Sequence, residues 1–135
     1  MEGGPLSAEE LGRRFVDAAN RRDVDALVAL CHPELELLPT MIVSQRAVYH
    51  GHDGLRRWVA DVVEAEVAYE ARILRVREFG GDQFAVLAEV CLGDEVITRS
   101  ALIARVRNDL IVRAKGYLSD EQTLIRVGVL PPAEG

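Results

Sequence analysis

Two periods of apolar and polar positions divide the chain. Through the first half, apolar residues recur three and four apart. Leu11, Phe15, Ala18 and Ala19 form one stripe, and Val24, Leu27, Val28 and Cys31 form a second. That spacing predicts amphipathic helices. Ser7-Ala8-Glu9-Glu10 carries the capping-box pattern, so the first helix starts there and runs to about Arg21. Asp23 caps a second, shorter helix, and Pro33 stops it because the residue before a proline disfavours helical backbone. Glu34 to Pro39, "ELELLP", alternates like a short strand, and Thr40 to Val48 has no clear period and reads as a loop or pocket lid. A third helix carries Leu55, Trp58, Val59, Val62 and Val63 on one side and Arg56, Arg57, Asp61 and Glu64 on the other.

From Tyr69 onward the period becomes two. Turn signals at Gly80-Gly81-Asp82, Gly93-Asp94 and Asn108-Asp109 cut this half into four long strands, a meander of antiparallel hairpins. Ser119-Asp120-Glu121-Gln122 starts a last helical turn with Leu124 and Ile125, and "LPPAEG" reads as a tail. Helices followed by consecutive strands predict an α+β fold, with three N-terminal helices packed on a curved, mainly antiparallel sheet. The expected division is a tail over residues 1–6, a single domain over 7–129 and a second tail over 130–135.

Strand register decides which side chains can meet. A two-residue Gly93-Asp94 turn sets Glu89 opposite Thr98 and Ala88 opposite Arg99, which places Glu89 and Arg99 on opposite faces. Continued through Asn108-Asp109, this register puts Ala88, Val90, Arg99, Ala101, Ile103, Arg105, Ala114 and Gly116 on the face beneath the helices, an assignment that a bulge would invert in part. Small side chains at Ala88, Ala101, Ala114 and Gly116 would leave room for a ligand, unless Phe15 and Trp58 fill it. Arg99, a lone guanidinium on that face, would need a partner such as Glu36 or a ligand oxygen.

Composition narrows the partners. The 135 residues suit one domain with a substantial core, and 16 basic against 22 acidic side chains give a net charge of −6, which repels nucleic acid and anionic membranes. Cys31 in "VALCHP" and Cys91 in "AEVCLG" sit in apolar surroundings and read as buried thiols. With no leader and no apolar run long enough to span a bilayer, a cytoplasmic location is expected.

The stretch "YHGHDGLRRW", Tyr49 to Trp58, raises the question of a metal. Gly51 supplies a free joint and Asp53 a negative group at a helix N-terminus. His50 and His52, two apart, diverge, and His32 has no spacing that joins them, so neither a metal nor another cofactor is implied. His50 stands as a candidate pocket acid, base or hydrogen-bond donor, against a plain solvent-exposed histidine.

The order of elements, together with "FVDAANRRDVDALVALCHPELELLP", "YHGHDGLRRWV" and "NDLIVRAKGYLSDEQTL", resembles the SnoaL-like branch of the nuclear-transport-factor-two-like superfamily, from about Leu11 to Val129. The resemblance implies a cone-shaped α+β barrel and a homodimer through the sheet. It leaves the reaction open, because the fold hosts isomerases, cyclases, epoxide hydrolases and binding subunits. Where ketosteroid-isomerase relatives place a tyrosine oxyanion donor, this chain has Phe15. Their general-base aspartate precedes the proline matched by Pro39, and here that position is Leu38. Their protonated acid falls near Ala101. The epoxide hydrolases' arginine is matched by Arg99, but their aspartate positions align with Ala101 and Gly116.

The leading expectation is a small, largely apolar metabolite in a conical pocket shaped by Phe15, Leu38, Met41, Tyr49, Trp58, Ala101 and Gly116. Arg99 would hold a polar end, with His50 as a secondary contact. One rival is an isomerase, cyclase or hydrolase with a relocated catalytic set drawn from His50, Glu36 and Arg99. Another is a non-catalytic dimerisation module with a filled core.

Overall fold

The computed structural model describes residues 6–39 and 48–132. Two helices, α1 (Ala8–Arg21) and α2 (Val24–Leu30), precede strand β1 (Cys31–Leu38); the short β2 (Tyr49–His50) leads into α3 (Gly51–Glu64). Four long strands follow, β3 (Glu70–Phe79), β4 (Gln83–Leu92), β5 (Glu95–Arg107) and β6 (Leu110–Tyr117), and α4 (Glu121–Arg126) ends the order. They form one curved, unclosed six-stranded sheet in the order β2-β1-β6-β5-β4-β3, antiparallel except for β1 beside β6. The expected α+β architecture is therefore present, with α1, α2 and α3 on one face.

The helix starts follow from the sequence. Ser7 and Glu10 form the reciprocal capping box, and Asp23 accepts from the Ala26 amide. The second helix stops earlier than Pro33 suggested, at Leu30, and Cys31 already belongs to β1. Pro33 is tolerated in the strand because pairing to β6 is irregular between Cys31 and Glu36, where a missing N–H costs no ladder bond. In α3 the buried stripe is Leu55 and Val62, flanked by Trp58 and Val59. Val63, one residue and thus about 100° further round, is 56% exposed. Asp61, expected on the polar side, is buried and accepts a 2.7 Å hydrogen bond from the Tyr49 hydroxyl.

Both tight turns span two residues, with Leu92 opposite Glu95 and Arg107 opposite Leu110. Asn108 and Asp109 take positive φ of 54° and 66° to make the second. Each hairpin, however, contains a bulge. Pairing jumps from Val90–Thr98 to Cys91–Val96, leaving Ile97 over, and from Arg105–Arg113 to Val106–Ile111, leaving Val112 over. The two bulges turn the central part of β5 over relative to the simple register. Glu89 accordingly pairs with Arg99 on one face, and Ala88 pairs with Ser100. This corrects the expectation that Glu89 and Arg99 lie on opposite faces.

Beneath the helices, Leu11, Phe15, Leu27, Leu35, Leu37, Leu55, Phe84, Val86, Ile111 and Ala114 form the main core, joined by Leu102, Ala104 and Val106 of β5. Gly12 permits close approach here, since a Cβ on it would stand 2.8 Å from Val86 Cγ2. The outer face carries a second, smaller core of Ala85, Leu87 and Ala101 covered by Leu124 and Leu130. Leu130 is buried against this second core, and the Pro131 carbonyl accepts from Arg77 at 2.6 Å. Among the described residues no helix is long and apolar enough to cross a membrane.

Candidate functional site

One cleft opens between the C-terminal end of α1, the inward-facing side of α3 and the helix-facing side of β3, β4 and β5. Its apolar walls are Pro39, Trp58, Val59, Val62, Val67, Ala71 and Val90, and its polar lining comes from Asn20, Arg22, Tyr69, Glu70 and Ser100. The free volume is about 150 Å³, close to that of an engineered apolar cavity of about 150 Å³ that takes up benzene. The cleft is therefore the size of a single ring.

Local structure explains why the helix layer stops short here. Asn20 donates to the Ala71 carbonyl and accepts from the Ala71 amide, both at 2.9 Å, which ties the end of α1 to β3. Arg22 follows in the left-handed region at φ 58° and donates to the carbonyls of Ala19 and Val67, both at 2.8 Å. Asn20 thus joins the end of α1 to β3, and Arg22 joins it to the α3–β3 connection, at one side of the cleft. Trp58 and Val59 form the α3 wall.

The sequence-derived site residues do not converge on this cleft. Trp58 lines it. Phe15 and Tyr49 are buried in the main core, so the space directly beneath the helices is filled. Leu38 pairs with Lys115 at the far side of the sheet, and Gly116 pairs with Leu102 on β6. Ala101 lies on the outer face beneath Leu124. Met41 is outside the described residues.

Glu36, His50 and Arg99 are also on the outer face. Glu36 pairs with His50 across β1 and β2 and accepts from Arg113 Nε at 2.9 Å. Arg99 stands 3.6 Å from Glu89, with its side chain 53% exposed. Its partner is thus the strand neighbour Glu89, not Glu36. His52 turns the other way from His50, its Nε2 lying 2.9 Å from the Cys31 carbonyl oxygen. Gly51, at φ 67°, makes the sharp entry into α3, and a Cβ there would meet the Pro33 carbonyl at 2.9 Å. Cys31 and Cys91 are free and buried, and burial pushes the Cys31 thiol up to about 12.

The polar cleft residues that pattern reading passed over are Asn20, Arg22, Tyr69, Glu70 and Ser100. One signal was available. Between a helix ending at Arg21 and a capping Asp23 only Arg22 remains, which forces a left-handed residue and aims its side chain across the helix end.

Comparison with known proteins agrees with this architecture. The profile of the SnoaL-like domain matches residues 12–114. No curated protein matches the chain. A Cytophaga hutchinsonii nuclear-transport-factor-two-like protein of unknown function is similar over 93% of this chain and 99% of its own, at 13% identity and TM-score 0.63. A Sinorhizobium meliloti protein provisionally assigned as a polyketide cyclase is similar over 79% of this chain and 93% of its own, at 19% identity and TM-score 0.63. An Agrobacterium tumefaciens protein provisionally assigned as an isomerase of the SnoaL-like family covers 83% of this chain and 97% of its own, at 11% identity and TM-score 0.68. At these identities the likeness is one of fold. The matched profile spans most of the chain, from α1 into β6, and on that ground the protein belongs to the SnoaL-like domain family.

Proposed function

We propose that this SnoaL-like protein binds a small, largely apolar molecule of about one ring in the cleft walled by Trp58, Val59, Val62, Ala71 and Val90. The supporting observation is an apolar recess of about 150 Å³ that the helix layer leaves open while the core beside it is filled. Binding fits the lining better than turnover. Asn20 is committed to the Ala71 backbone and Arg22 to backbone carbonyls, while the acid and base candidates His50 and Glu36 belong to the outer face.

Trp58 is the only tryptophan of the chain, so its fluorescence reports on the cleft directly. Titration with small aromatic and alicyclic compounds is expected to change that emission saturably and to raise the melting temperature by mass action. Widening the wall with Val62→Ala, or filling the space with Ala71→Leu, should shift affinity in opposite directions. A panel of such compounds that moves neither emission nor melting overturns the reading.

A second reading, self-association, draws on exposed apolar side chains at the tip of the β4–β5 hairpin: Leu92, Val96 and Ile97 are each more than two-fifths exposed. A homodimer that covers this tip should dissociate on Ile97→Asp, as followed by sedimentation velocity. A wild-type chain that sediments as a monomer at high concentration removes this reading.

A further inference from the structure

Arg22 is the cation of the cleft. The neighbouring Arg21 takes both nearby carboxylates, Asp17 at 3.0 Å and Asp23 at 2.9 Å. Arg22 is left with neutral oxygens. Its Nη1 donates to the Ala19 and Asn20 carbonyls at 2.8 and 3.3 Å, and its Nη2 to the Val67 and Tyr69 carbonyls at 2.8 and 3.4 Å. Among the described residues no carboxylate lies within ion-pair distance of this guanidinium.

Its position is also conformationally disfavoured. Arg22 stands at φ 58°, ψ 35°, where glycine or asparagine ordinarily ends a helix. A half-buried cation held at that place by carbonyl dipoles has its charge unneutralised and directed to the rim of an apolar recess. Ser100, on the sheet side of the same recess, makes no hydrogen bond within the described residues, so its hydroxyl is available as a second donor. Glu70 also reaches the rim but is exposed, and its charge is screened by water.

We propose that the cleft selects small organic anions. A ring-sized apolar body would lie against Trp58, Val59, Val62 and Val90, and a carboxylate, phenolate or enolate oxygen would face Arg22, with Ser100 as the additional donor. The proposal rests on the reading of the cleft as a ligand site and adds the ligand's charge to it. Four of the five guanidinium N–H donors go to carbonyls, so an anion would meet the remaining Nε–H and the net positive charge, and such a charge-assisted contact discriminates between an anion and its neutral isostere.

The test is a Trp58 fluorescence titration of the full chain at neutral pH and constant ionic strength with benzoate, benzyl alcohol and benzylammonium. Benzoate is expected to bind about tenfold more tightly than benzyl alcohol, and benzylammonium more weakly than either. In Arg22→Gly, which suits the left-handed backbone, the ratio of benzoate to benzyl alcohol affinity should fall to within about twofold. Arg22→Lys, which retains the charge without the fork, should keep part of the preference. Equal binding of benzoate and benzyl alcohol by the wild type, or a preference that survives Arg22→Gly, overturns the anion proposal and leaves the cleft as a neutral site. Binding of none of the three overturns the proposal and the cleft reading together.

Discussion

The two faces of the sheet handle charge in opposite ways. Under α1, α2 and α3 the sheet is apolar, and among the described residues its buried side chains, apart from the Tyr49–Asp61 pair, are hydrocarbon or sulfur. The outer face alternates a small apolar core with a lattice of ion pairs: Arg72 and Arg99 flank Glu89, Arg75 and Arg77 grip Glu121, and Arg113 holds Glu36. Glu36 and Arg99, which look catalytic in sequence, are therefore held in ion pairs, on the face opposite the Trp58 cleft. The apolar cleft and the unneutralised cation lie on the side that looks bland in sequence, whereas the recess beside Arg99 on the outer face is lined by ion-paired groups.

If the helix face is the principal core, the largest loss of stability should come from it. Leu27 is completely enclosed, so Leu27→Ala is expected to cost about 3–5 kcal/mol in urea unfolding. Leu124 is buried only under a six-residue helix that can resettle, and Leu124→Ala should cost about 2–3 kcal/mol. Equal losses would mean that α4 is as integral as the helix layer, and the contrast between the faces would fail.

Glu121 sharpens the same contrast from the electrostatic side. Its side chain is 18% exposed, and the hydrogen bond from Arg75, with the charges of Arg75 and Arg77, holds its carboxyl below the usual 4.5 against the opposing effect of burial. A lowered native pKa contributes stability that is present above 4.5 and fades as the pH falls through the native value. Glu121→Gln should cost about 1–3 kcal/mol at neutral pH, since hydrogen bonds to a charged group are lost and Arg77, only 9% exposed, is left without its carboxylate. Wild type and variant should converge in strongly acidic buffer. A difference that stays constant with pH would reduce this contact to packing. On the opposite face, Tyr49→Phe should cost about 1–2 kcal/mol, because buried Asp61 loses a hydroxyl donor.

How much of this was legible varies with the physical signal. Helix starts and turns rest on residue-local chemistry, so Ser7, Asp23, Asn108 and Asp109 fall where pattern reading puts them. Bulges leave no such mark. Ile97 and Val112 are ordinary β-branched residues, yet each shifts the pairing by one and together they turn Arg99 and Ala101 to the outer face. Arg99 and Ala101 do not line the helix-side cleft for that reason. Trp58 kept its place because helical periodicity does not depend on pairing, and Arg22 stayed hidden because a helix end is read for where it stops, seldom for what the last side chain faces.

The smallest expected effect is the most discriminating. Arg99→Met would abolish ligand binding if the simple hairpin register held, since the guanidinium would then be the polar end of the pocket. The observed register places it beside Glu89, 53% exposed, where an ion pair contributes little and is screened by salt. Arg99→Met is therefore expected to change stability by less than about 0.5 kcal/mol and to leave the Trp58 titration with aromatic ligands unaltered. Loss of binding without loss of folding would show that Arg99 reaches the ligand and that the two bulges do not hold in solution. Unchanged binding, set beside a loss in Arg22→Gly, would assign the ligand's polar end to the helix side of the sheet.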